Sequence, residues 1–366
     1  MQSFLDLAAD QVDDFELTIQ HEVGSCVVKS HLGDLGIIRH GIEVDDPQNT
    51  QEFTTMLCNV GEVGEADTRL VVATPSGQRL GYGFPLAALR VGTGIREGWP
   101  AKFAEVGFRK FVSLGNINRY SVFRTTAELR GEEFFLDELF SEEHVLFVFS
   151  NAGLQEAGLS DERLRLSLLE QQIQEVESHG KGFTAGDAGL ENKNINLRIP
   201  RTLDPADVTI FCSLISQADK ERFSVGSFLT YYQVIEYCID KIFQIEVKKL
   251  PTLELDTWKL KESLANLTNE VSRIGILDQK YLSNTVRRSS FEDLKQECLQ
   301  LLTNTGDPQE AHVSWFKALY KVRNMVVHNQ MRFHRHAGKM ELSATNKVLR
   351  RACMEALFSF SPPIEQ

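Results

Sequence analysis

The chain has 366 residues, a hydrophobic fraction of 42%, a charged fraction of 25% and a formal net charge of −12. That length suits roughly two domains of about 100–200 residues each, and the composition excludes wholesale disorder, collagen-like repeats and coiled-coil rods. An acidic average argues against nucleic-acid binding, but an average hides how charge is distributed along a chain.

Residues 1–16 carry no basic stretch followed by an apolar one, so no signal peptide is expected. No run of about 18 apolar residues occurs, so no transmembrane helix is expected either. The first half reads as strands and turns with a few helices. Phe15–Ile19 alternates, and Cys26–Lys29 is a short apolar run. Leu70–Ala73 and Arg79–Phe84 flank Thr74-Pro75-Ser76-Gly77, which predicts a hairpin. Gly107–Leu114 and Ser121–Thr126, rich in Phe and Val, read as further strands, and His144–Ser150 as a central one. Asp161–Val176 has helical spacing, with Leu164, Leu168, Leu169 and Ile173 on one face.

Residues 180–195 contain four glycines and few apolar side chains, and read as a linker. Beyond Pro200 the pattern turns helical. Asp204-Pro205 is an N-cap followed by Pro at the first helical position. Ser224 is placed to cap a helix running to about Val247, whose apolar stripe is Phe228, Tyr231, Tyr232, Ile235, Ile239 and Ile242. Trp258–Ile274 predicts a third helix, and Ser289-x-x-Glu292 a capping box opening Phe291–Leu302. Val313–Gln330 and Ala344–Phe358, the latter capped by Ser343, complete the set. The expected fold class is α+β: a strand-rich mixed domain over residues 1–195, then an all-helical domain over 196–366.

The six cysteines, Cys26, Cys58, Cys212, Cys238, Cys298 and Cys353, are far apart and form no Cys-x-x-Cys pair. Neither a zinc ribbon nor a redox motif is indicated, and reduced thiols in a cytoplasmic protein are the expectation. Val91-Gly92-Thr93-Gly94-Ile95 is a lone Gly-x-Gly without a strand–helix frame, and no phosphate-binding loop, nucleophile elbow or His-Glu-x-x-His occurs. No cofactor or metal is expected.

Charge divides along the same boundary. Residues 1–195 hold 16 Lys and Arg against 31 Asp and Glu, a net of −15, whereas residues 196–366 hold 23 against 20, a net of +3. Within the latter, residues 312–351 carry nine Lys and Arg and one acid, Glu341. Such a stretch can neutralise several phosphates, or can be a solvated face balanced by acids that lie elsewhere in sequence.

Inside it stands Lys321-Val322-Arg323-Asn324-Met325-Val326-Val327-His328. On a helix Asn324 and His328 share a face, Arg323 lies beside Asn324, and Leu319, Val322, Met325 and Val326 form the core side. This Arg-polar-x3-His pattern near the end of a helical region resembles the HEPN superfamily. Phe228–Tyr237, aromatic-rich and carrying Glu236, is similar to the early helix of its ApeA-like branches. The resemblance covers about residues 200–360; residues 1–195 lack the regular strand–helix alternation of the nucleotide-sensing domains of CRISPR-associated HEPN ribonucleases.

The resemblance implies metal-independent RNA cleavage at a site composed across a homodimer. Arg323, Asn324 and His328 would be catalytic, with Glu236 and Tyr232 in support. His titrates near neutrality and can move a proton, while Arg stays charged and can hold two phosphate oxygens. Lys321, Arg332, Arg335 and Lys339 are candidate RNA contacts, and the 331–339 tail equally reads as a basic loop. Each site residue keeps a structural alternative: His328 beside a helix C-terminal dipole, Arg323 as an ion-pair partner of Glu236, Tyr232 as core. The implied setting is prokaryotic defence or a toxin system, in the cytoplasm and away from membranes, with the first half sensing a trigger, binding a protein partner or antitoxin, or shielding the basic segment. The alternative is a non-catalytic HEPN binding or scaffolding module. An antitoxin paired with a minimal nucleotidyltransferase fits a 195-residue first half poorly.

Overall fold

In this computed structural model the described residues are 18–22, 25–30, 33–39, 50–60, 70–91, 98–112, 132–140, 144–176, 194–200, 202–252, 256–282, 288–310, 312–328 and 339–361. The chain is a mixed α+β protein made of two compact units, Met1–Ile199 and Pro200–Gln366.

Among its described residues the first unit holds ten strands: β1 (Thr18–Glu22), β2 (Ser25–Ser30), β3 (Gly33–Arg39), β4 (Phe53–Asn59), β5 (Leu70–Ala73), β6 (Arg79–Pro85), β7 (Glu132–Phe135), β8 (His144–Ser150), β9 (Gln174–Glu175) and β10 (Asn194–Asn196). They form a four-stranded sheet, β1-β2-β3-β7, and a six-stranded one, β10-β5-β6-β8-β4-β9. The α-helices that accompany them are α1 (Leu86–Val91), α2 (Gly98–Phe111), α3 (Leu136–Phe140), α4 (Asn151–Ala157) and α5 (Asp161–Glu170).

Strand β8 is central, as its apolar sequence predicts, and buries both faces. Leu146 and Val148 join the core with α1, α2 and α3. Val145, Phe147 and Phe149 join the core with α4 and α5 on the other side. The period-two alternation of a strand therefore divides one apolar run between two cores. The β5–β6 hairpin forms as its turn residues demand: Gly77 N–H bonds the Thr74 carbonyl at 2.9 Å, and Gly77 has φ +86°, where a side chain is strained.

Three expectations for this half change. Within the strand expected over Gly107–Leu114, residues up to Phe111 are instead helix, the end of α2, which buries Phe103, Val106, Phe108 and Phe111; residues 113–114 lie outside the described residues. The Phe and Val content of this segment suggested a strand, but the apolar spacing is three to four. Gly107 faces the sheet so closely that a Cβ would lie 2.3 Å from Val148 Cγ2. The helix begun at Asp161 ends at Glu170, not Val176. Gln172 turns the chain at φ 59°, so that Gln174 and Glu175 can pair with β4. In the linker segment, Asn194 and Ile195 are instead strand, part of β10 parallel to β5. Residues 15–17 and 121–126 of the expected strands, and residues 180–193 of the linker, lie outside the described residues.

The second unit is helical: α6 (Pro205–Lys220), α7 (Ser224–Lys249), α8 (Thr257–Thr268), α9 (Glu270–Ile276), α10 (Arg288–Asn304), α11 (Trp315–His328) and α12 (Lys339–Ser359). Asp204 holds the extended N-cap conformation before Pro205, without a side-chain cap bond. Phe223, not Ser224, is the N-cap of α7. The single helix expected over Trp258–Ile274 is two, broken at Asn269, whose side chain accepts from Ser272 N–H at 2.9 Å and caps α9. Ser289 and Glu292 lie inside α10, already helical at Arg288, and Ser343 lies inside α12.

None of the six cysteines is in a disulfide. Burial pushes the Cys26 and Cys238 thiols up to about 12, so both are protonated at neutral pH. Among the described residues no helix is long and apolar enough to cross a membrane, and no group of three or more His, Cys, Asp or Glu is placed to hold a metal ion.

Candidate functional site

Helix α11 positions the motif. Trp315, Ala318, Leu319, Val322, Met325 and Val326 are buried, the i, i+3, i+4, i+7 pattern of a one-sided core helix. At 3.6 residues per turn, Lys317, Lys321, Asn324 and His328 fall on the opposite face, with Arg323 about 100° round from Asn324. Lys317, Lys321 and His328 are exposed, while Arg323 and Asn324 are half-buried.

Helix α7 supplies the other wall. Tyr232, Glu236 and Asp240 are four apart, and that spacing drifts from the buried stripe to its edge. Tyr232 is only 2% exposed. The Arg323 guanidinium lies 5.7 Å from the Tyr232 ring centroid, its Nη2 is 3.5 Å from Glu236 Oε1, and its Nη1 donates to Asn324 Oδ1 at 3.2 Å. Three groups from two helices thus fix its direction. The Glu236 contact sits at the outer limit of hydrogen bonding.

The electrostatics follow from this placement. Burial raises the Glu236 carboxyl above its ordinary value, with Arg323 opposing and Glu270 adding to the rise. Burial, reinforced by the hydrogen bond to Glu270, holds the Tyr232 hydroxyl far above the usual phenol range. It therefore stays neutral and donates a hydrogen bond to Glu270 Oε1 at 2.5 Å. Asp240 is engaged separately, by Arg273 Nη1 at 2.6 Å.

The structure brings together Arg323, Asn324, Glu236 and Tyr232, and leaves His328 exposed on the Asn324 face. Lys321 is also exposed and donates to the Gln309 side chain. Arg332 and Arg335 lie outside the described residues; Lys339 opens α12, and its side chain is not among those described. Sequence reading missed Glu270, the acceptor for Tyr232, because Asn269 was read as helix interior; an Asn followed by an acid is an N-terminal signal that marks it. It also missed Lys317, which extends the exposed stripe one turn and is recoverable from 3.6-residue spacing.

The basic stretch is less free than its sequence suggests. Arg350 is 13% exposed and lies against Asp219 at 2.9 Å, Arg351 pairs with Asp293 at 3.5 Å, and Arg323 with Glu236. Three of the nine cations in the 312–351 stretch thus face acids from other helices.

No protein-family model matches the sequence, and neither curated proteins nor solved structures yield a significant match.

Proposed function

We propose that this protein is a HEPN-type, metal-independent endoribonuclease, working as a homodimer in a defence or toxin role, in which the first unit senses or restrains. The observation that carries this reading is the oriented Arg323 guanidinium, held by Tyr232, Glu236 and Asn324, with the exposed His328 one turn along the Asn324 face. This puts a permanent cation and a titratable imidazole at one end of one helix, a pairing suited to in-line attack by a ribose 2′-OH.

In that reaction the 2′-oxygen bonds to phosphorus and the bond to the 5′-oxygen breaks, leaving a 2′,3′-cyclic phosphate and a 5′-OH. One His328 takes the 2′-OH proton, and the imidazolium of a second protomer donates a proton to the departing oxygen. Arg323 stabilises the charge on the non-bridging oxygens. Asn324 keeps Arg323 turned toward the His328 face. Glu236, loosely paired and raised in pKa by burial, yields Arg323 to phosphate more readily than a tight carboxylate partner would. Lys317 and Lys321 on the same face add phosphate contacts.

A second reading is a non-catalytic HEPN scaffold. The same ion pair favours it, since Arg323 ties α11 to α7. The two readings separate at His328, which is exposed. Full-length wild type, Arg323→Ala and His328→Ala are incubated with RNA in chelator, and fragment ends are mapped. His328→Ala is expected to lower cleavage by about 100-fold or more with an unchanged melting temperature, and the wild-type fragments to carry 2′,3′-cyclic phosphates. Cleavage persisting in both variants removes the site assignment; no cleavage by wild type leaves the scaffold reading.

A further inference from the structure

The Met1–Ile199 unit contains a cleft of ≈ 240 Å³ lined by Val71, Arg79, Tyr82, Trp99 and Pro100. Trp99 is 65% exposed, although large aromatic side chains normally bury most of their surface. It stands in the first turn of α2, between Gly98 at φ +74° and Pro100. Its place is therefore set by the backbone, and its indole is presented to solvent rather than packed.

Two cations belong to this region: Arg79 lines the cleft, and Lys102 lies over the Trp99 ring. Arg79, at the start of β6, donates from Nη1 to the Tyr82 hydroxyl at 2.8 Å, and its guanidinium carbon is 5.5 Å from the Tyr82 ring centroid. Tyr82 is 2% exposed, so Arg79 is anchored on a buried, fixed group. Lys102, one turn along α2 from Trp99, places Nζ 5.4 Å from the indole centroid. Among the described residues neither Arg79 nor Lys102 has a carboxylate partner, although this half of the chain holds 31 acids against 16 bases.

We propose that this cleft binds a nucleotide, with the base stacked on Trp99 and the phosphate held by Arg79 and Lys102. An indole face is a stacking surface for any base, and a fixed guanidinium is a two-pronged donor for phosphate oxygens. An inorganic anion would leave Trp99 unused, and a neutral ring would leave both cations unused. The cleft is smaller than the roughly 300–1,000 Å³ of most ligand sites, so it accommodates a single base and phosphate with the sugar facing solvent. A free mononucleotide and one residue of a single strand present the same chemistry. The inference rests on the first unit alone and stands apart from the ribonuclease reading.

Calorimetric titration of the full-length protein tests it. The probes are AMP, UMP, adenosine, inorganic phosphate and tetradeoxyadenylate, which lacks the 2′-OH and so resists cleavage by the mechanism above. AMP is expected to bind about tenfold or more tightly than adenosine or phosphate. Trp99→Ala and Lys102→Ala, both at exposed positions, and Arg79→Ala are each expected to weaken AMP by about tenfold, with Trp99→Phe weakening it less. Tighter binding of the tetranucleotide than of AMP, with the same loss in Trp99→Ala, assigns the site to a strand; equal or weaker binding assigns it to free nucleotide. Binding of neither, or affinities unchanged in Trp99→Ala and Arg79→Ala, would overturn the proposal.

Discussion

Glu236 is under two opposing influences, and their balance sets a measurable pH dependence. Burial disfavours its charge, Arg323 favours it, and the net direction is upward. A carboxyl whose folded value exceeds its unfolded one contributes stability that is complete below the ordinary glutamate value of about 4.3. That contribution is lost as pH rises through the raised value. Glu236→Gln does not titrate. The melting temperature of Glu236→Gln minus that of wild type is therefore expected to be larger at about pH 7 than at about pH 4. The opposite ordering would mean that the Arg323 pair outweighs burial. Because the Glu236 side chain is 38% exposed, the direction of this difference is the informative quantity.

Helix packing in the second unit depends on a polar pin as well as on apolar faces. Asp219 near the end of α6 accepts from Arg350 Nε at 2.9 Å and Nη2 at 3.1 Å, and the Tyr231 hydroxyl of α7 donates to the same carboxylate. Three helices meet at one buried acid that is 2% exposed at its side chain. Arg350→Ala strands that carboxylate without its cation. The expected loss is about 3–5 kcal/mol, the usual scale for breaking a buried pair, read as a lower denaturant midpoint. A loss within about 0.5 kcal/mol, typical of surface changes, would show that water reaches Asp219. Nothing in sequence joins positions 219 and 350, which are 131 residues apart.

At the scale of the whole chain, the segregated charge sets how RNA binding can depend on salt. Of nine cations in residues 312–351, Arg323, Arg350 and Arg351 face carboxylates, so at most six can meet phosphate without opening one of these pairs. With about 0.7 counterions released per phosphate on a single strand, the slope of log K against log salt from this segment is expected to be no steeper than about −4 at about pH 8, where ordinary histidine is neutral. Binding of single-stranded RNA by His328→Ala, measured across salt concentrations, checks this without cleavage. A slope matching all nine cations would mean that the three ion pairs open on binding.

By itself the sequence determined the mixed α+β class and the helical character of the C-terminal region, the hairpin at Thr74–Gly77, the central place of β8 and the core side of α11. Each of these depends on local periodicity or turn chemistry, which are written in adjacent residues. The register of short connections was less legible: α2 passed for a strand because aromatic and β-branched residues suit both periods, and the break at Asn269 was hidden inside a continuous helical pattern. Only the tertiary structure decided the partners of Arg323 and Tyr232, the neutralisation of Arg350 and Arg351, and the meeting of Arg79, Tyr82 and Trp99 at one cleft. Those arrangements join residues far apart along the chain, and their energies come from distance and burial, which no single segment carries.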